Sequence, residues 1–230
     1  ASILAKKQAV GATHLLLDIP VGKNAKVKTK KEAKILKKRF EKISKILKIK
    51  TKVIITDAKQ PIGNGVGPAL EARDVLRILK RDKNAPKDLE KKAIMMADKI
   101  FKLTNTKASA EEILNTGQAY EKFKEIIKAQ KGNPNIKPEK ILLGKYTYDY
   151  KSTKNGKIKE INNKRVSNLA RIAGAPNNKG AGVYLYKKLN EKVKNGEIIL
   201  TIYTENPEKL IYAKKEIKEI FKINWLSKGF

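Results

Sequence analysis

The chain has 230 residues, 40% of them hydrophobic, a formal net charge of +30 and no cysteine. That is enough apolar material for one large domain or two modest ones, while disulfides and thiolate metal sites are excluded and a reducing cytoplasm is the default compartment. No apolar run reaches the roughly eighteen residues of a membrane span, and no secretory signal is visible.

A helix over Ser2–Val10 is expected to end at Gly11, and Ala1 stands where an initiating Met would, which points to a piece of a longer chain. His14–Val21 (HLLLDIPV) is a nearly continuous apolar run closed by Pro20 and Gly22, the pattern of a buried strand. Lys30–Lys48 places Leu36, Phe40, Ile43 and Leu47 on one helical face. A second buried strand, Lys52–Asp57, leads into the loop AKQPIGNGVG and a helix opened by Pro68. This βαβα order predicts an α/β fold, a partly parallel, mixed sheet with covering helices. Pro86–Gln130 is helical in pattern, with Gly117 as a separator, until KGNPNIKPEK (131–140) breaks the helix and suggests a domain boundary. Beyond it, KYTYDYKS, the NGK turn and Ile158–Ile161 predict a hairpin. A short helix Arg165–Ala173, strands Val183–Tyr186 and Ile198–Tyr203, and a helix Pro207–Phe221 complete a C-terminal α+β domain.

The lysines are spread over many amphipathic helices rather than gathered into one stripe, and aromatics are only 6%. The charge therefore reads as the solvated surface of a lysine-rich protein more than as a nucleic-acid footprint, with a basic nucleic-acid-binding module as the alternative. Ser2 and Lys6 lie four apart on a helix, so a hydroxyl and an ammonium can lean over the same polar group, such as a nucleobase edge. The strand ending near Asp18 runs into PVGKNAKVKT, where Gly22 gives backbone freedom and Lys23 and Lys26 supply cations suited to a phosphate. The loop QPIGNGVG has the spacing GxGxG followed by Pro, so it is not a dinucleotide fingerprint. Its glycines allow close packing, or its carbonyls, at Ile62 and Gly65, could hold a monovalent cation with help from Asp74. One histidine, His14, and no cysteine leave no nucleophilic triad, and no complete catalytic set can be assembled.

In order along the chain, ASILAKK, LLLDIPVGKNAKVKT, ITDAKQPIGNGVGPALEARDVL and AQKG (Ala129–Gly132) resemble the thymidine (pyrimidine-nucleoside) phosphorylase family, in particular its archaeal AMP-phosphorylase branch. IAGAPNNKGAGVYLYKK and KVKNGEIILTIY resemble the C-terminal domain of that family more loosely. The resemblance implies the tail of a small helical domain at 1–10, part of the α/β phosphorylase domain at 11–132 and the family's C-terminal domain at 133–230. It implies phosphorolysis of AMP by inorganic phosphate, with no organic cofactor, in a homo-oligomer. Ser2 and Lys6 would contact the base and Lys26, with Lys23, the nucleotide phosphate, where thymidine-using relatives carry an uncharged loop. The family's phosphate-binding loop and acidic Asp lie upstream of the SxxxK helix, so the 230 residues alone are expected not to turn over AMP. A pyrimidine-nucleoside phosphorylase is the alternative within the same chemistry.

Overall fold

In a computed structural model, residues 2–225 are described, Ser2 and Trp225 by their backbone only. The first elements are helix α1 (Ser2–Ala9), strand β1 (His14–Val21), helix α2 (Lys30–Ile46) and strand β2 (Lys50–Asp57). Thr29 caps α2 reciprocally: its hydroxyl accepts the Glu32 N–H at 3.1 Å, and the Glu32 carboxylate accepts the Thr29 N–H at 3.4 Å. Lys48 takes a left-handed φ of 55°, so the helix stops before the expected Lys48 and β2 starts at Lys50 instead of Lys52.

Next come β3 (Gly65–Val66), α3 (Pro68–Leu79), α4 (Lys87–Thr104), α5 (Ala110–Asn115) and α6 (Gln118–Ala129). Gly117, in a left-handed conformation, separates α5 from α6 as expected. The remaining elements are β4 (Tyr146–Lys151), β5 (Gly156–Ile161), α7 (Asn163–Ala173), β6 (Gly182–Leu185), β7 (Lys192–Val193), β8 (Ile198–Thr204), α8 (Pro207–Glu216) and β9 (Phe221–Trp225). The result is the expected mixed α/β architecture, carried by several small sheets.

The chain divides into two compact units that are interleaved in sequence. One takes residues up to Lys59 together with Glu90–Thr116, and the other takes Gln60–Leu89 together with the residues from Gly117 on. In the first, β1 and β2 pair in parallel from His14↔Lys50 to Val21↔Asp57, joined through α2. Strand alternation puts Ile19 and Val53 on one face, where they pack with Ala33, Leu36 and Phe40 of α2.

In the second unit, β3-β6-β8-β4 form one antiparallel sheet and β7-β5-β9 another. Their shared core includes Ile158, Leu169, Leu185, Leu200, Ile202 and Ile220, each at most 1% exposed. The hairpin expected between β4 and β5 does not form, because the two strands belong to different sheets. The connector is held by the turn before β8: Ser152 exchanges main-chain bonds with Glu197 and Gly196, each 2.8 Å, and the Asn155 side chain accepts from Asn195. The expected last helix also ends early, at Glu216. Glu219 then turns with a φ of 61°, and the chain re-enters as β9 against β5.

Ile202 on β8 is fully buried. Ile202→Ala is expected to cost about 2–5 kcal/mol, read as a lower urea midpoint at unchanged slope.

Candidate functional site

The carboxyl ends of the parallel pair hold the cationic loop. Gly22 N–H donates to Val27 O at 3.2 Å and Ala25 N–H to Gly22 O at 2.9 Å, so residues 22–27 fold into a tight turn returning beside Val21. Ala58 N–H donates to Val21 O at 2.8 Å and ties that turn to the end of β2. Gly22 is needed for closeness rather than for backbone freedom. Its φ lies outside the left-handed region, but a Cβ there would stand 2.5 Å from Ala58 O. Lys23 and Lys26 are exposed on this turn, and no side chain among the described residues pairs with Lys26.

Below the loop lies a buried polar knot that sequence reading passed over. Asp18 on β1 pairs with Lys92 of α4 at 2.5 Å and accepts the Thr56 hydroxyl of β2 at 2.7 Å. Lys92 also donates to Thr56 at 3.3 Å, with the Lys92 and Asp18 side chains only 23% and 14% exposed. Charge-assisted bonds of this kind fix the two strand ends and the helix to one another. Asp18 was legible as a carboxylate near a strand end. Its partner on α4, 74 positions away in a lysine-rich helix, carries no local signal.

Lys6 is exposed on α1, one helical turn from Ser2, whose side chain lies outside the described residues. No hydrogen bond or ion pair joins Lys6 to Lys26 among the described residues. Among the described residues the His14 ring has one hydrogen-bond partner, its neighbour Thr13, at 3.0 Å.

In the other unit, the glycine loop is a hub of main-chain contacts. Asp74 of α3 is 1% exposed, and its Oδ2 accepts the N–H groups of Asn64 at 2.6 Å and Gly65 at 2.7 Å. Its Oδ1 is buried with no hydrogen-bond partner among the described residues. Desolvation raises the Asp74 pKa above its ordinary 3.8, and the two amide N–H bonds and nearby Arg77 and Lys188 offset this only in part. Sequence reading expects a cation at Ile62, Gly65 and Asp74, and the orphaned Oδ1 leaves one acceptor of that set open. On the far side of the loop, the Lys188 ammonium donates to the carbonyls of Pro61, at 3.0 Å, and Gly63, and pairs with Asp88 at 3.2 Å. Among the described residues no cluster of three His, Cys, Asp or Glu could hold a metal ion, and no helix is long and apolar enough to cross a membrane.

Residues 157–224 match the pyrimidine nucleoside phosphorylase C-terminal domain. The chain is 44% identical over 221 residues to an AMP phosphorylase of Thermofilum pendens, covering 95% of the chain and 43% of that protein. It is 45% identical over 216 residues to an AMP phosphorylase of Pyrococcus abyssi, covering 91% of the chain and 43% of that protein. A putative thymidine phosphorylase of Albidiferax ferrireducens is 40% identical over 221 residues, covering 94% of the chain and 42% of that protein. The chain thus spans less than half the length of these relatives.

A carboxyl whose pKa is raised on folding stabilises the protein below its unfolded pKa and loses that stabilisation as pH rises through the folded one. In buffer free of monovalent metal cations, stability is therefore expected to fall as pH rises above about 4 through the Asp74 contribution. Asp74→Asn should flatten that part of a pH series of urea midpoints.

Proposed function

Since the chain belongs to the pyrimidine-nucleoside phosphorylase family, we propose that it supplies the nucleotide grip for phosphorolysis of AMP to adenine and ribose 1,5-bisphosphate. In this reaction an oxygen of inorganic phosphate forms a bond to C1′ as the C1′–N9 bond breaks. The electron pair of that bond passes to the purine, which takes up a proton from a general acid. Positive charge builds on the sugar between an anionic nucleophile and the departing base, so fixed charges around the sugar govern the barrier.

Each of four residues of this chain has one task in that scheme. Ser2 offers a hydroxyl and Lys6 an ammonium to the base. Lys26, with Lys23 on the same turn, neutralises the 5′-phosphate. The general acid and the cradle of the attacking phosphate come from residues outside these 230. A monovalent cation against Asp74 Oδ1, with Ile62 and Gly65, belongs to the same reading as a structural ion, supported by that buried, unpartnered oxygen.

The observation that carries the proposal is the turn GKNAK, which puts Lys26 exposed at the carboxyl end of a parallel strand pair, where α/β sheets take their ligands. The relative from Albidiferax ferrireducens gives a second reading, phosphorolysis of thymidine. A nucleoside has no 5′-phosphate for this turn to neutralise, and AMP is favoured on that ground. In the complete enzyme, Lys26→Ala is expected to raise KM for AMP about tenfold or more while leaving KM for adenosine nearly unchanged. Equal losses on the two substrates would contradict the assignment.

A further inference from the structure

An ammonium group carries three N–H donors and no acceptor. Lys188 donates to two of the surrounding oxygens, Pro61 O at 3.0 Å and Gly63 O, and forms an ion pair with a third, Asp88 Oδ2, at 3.2 Å, an oxygen with no hydrogen-bond partner among the described residues. Two main-chain carbonyls and a carboxylate around one positive centre are the hard-oxygen set that holds a small cation. The cage is fixed independently of the lysine. Asp88 Oδ1 accepts the N–H groups of Gly63 at 3.3 Å and Leu89 at 2.8 Å. The lysine is held from its own side as well, since Lys188 N–H donates to Glu191 at 2.8 Å and Leu189 N–H to Gln60 Oε1 at 2.7 Å. Only 16% of the Lys188 side chain is exposed, so the charge sits largely out of water.

We propose that Lys188 is a tethered cation: its ammonium occupies an oxygen cage in the 61–63 turn, and without it the cage binds a free primary ammonium ion. The cage does not include Asp74, whose Oδ2 accepts the N–H groups of Asn64 and Gly65 and on which the Lys188 charge acts only through space. Neither does it depend on the phosphorylase reading, because every group in it belongs to the loop, to Asp88 or to Lys188. The lysine does for the turn what a bound ion does elsewhere, with the advantage that it cannot diffuse away.

Lys188→Ala removes the ammonium and opens a channel, leaving two carbonyls and Asp88 without their counter-charge. Its melting midpoint in choline chloride is expected to lie about 5–15 °C below that of the unsubstituted chain. Replacing choline by n-propylammonium at equal ionic strength should restore a third or more of that loss, while the unsubstituted chain melts alike in both salts. Lys188→Met fills the channel with an apolar chain, and should lose stability without recovering in n-propylammonium. If Lys188→Ala does not fold in choline, recovery of its far-ultraviolet circular dichroism in n-propylammonium alone supports the cage. Equal behaviour of Lys188→Ala in the two salts, unfolded or folded, would overturn the proposal, as would recovery of Lys188→Met to the same extent.

Discussion

The second unit depends on one long-range seam, the fastening of residues 60–67 to residues 181–189. β3 pairs with β6 through Gly65↔Tyr184 and Val66↔Val183, and Leu185 N–H continues the ladder onto Asn64 O at 2.8 Å. Gly67 carries the seam to its end, with a φ of 137° and its α-carbon so close to Ala181 O that no Cβ fits between them. Gln60 and Lys188 add side-chain bonds at the other end. The Tyr184 hydroxyl draws in Asn64 at 3.2 Å and Arg77 at 3.3 Å. Joining segments about 120 residues apart costs considerable loop entropy, and only many simultaneous bonds offset it. That seam is why α3 belongs with the C-terminal sheets, and why the compact units interleave instead of following one another along the chain.

Much of the fold was legible because its signals are local. The strand His14–Val21 appears at the bounds its apolar run gave, and the Gly11 and Gly117 helix boundaries stand where the glycines put them. Signals failed where the deciding partner was distant. β3 has only two residues, too short for periodicity, and exists because β6 lies beside it. KYTYDYKS and Ile158–Ile161 had the local pattern of a hairpin, yet each found partners elsewhere, β8 for one and β7 and β9 for the other. The last strand, Phe221–Trp225, lies just past the stretch Pro207–Phe221 that reads as helix, where Glu219 turns the chain, and its partner β5 is distant in sequence.

The candidate site divides in the same way. The cationic turn GKNAK is a local feature and was readable, although the reason for Gly22 changed from freedom to closeness. Asp18, Thr56 and Lys92 form a knot that only the folded unit reveals, and it lies directly beneath the ends of the strands that carry the turn. Its consequence is stiffness: a loop proposed to hold a phosphate gains when the strand ends below it are already fixed, because less ordering remains to be done on binding. The glycine loop packs closely at Gly65 and Gly67, one of the two readings its sequence allowed, while the carbonyls of Pro61 and Gly63, which sequence reading did not single out, meet Lys188.

The central claim is that this chain grips a nucleotide for attack by phosphate. Phosphorus NMR of the complete enzyme with AMP and orthophosphate tests it most directly. Orthophosphate should disappear as two phosphate signals of ribose 1,5-bisphosphate grow, with one adenine released for each phosphate consumed. Persistence of AMP while thymidine is consumed, or conversion of AMP to adenosine and orthophosphate, would contradict it.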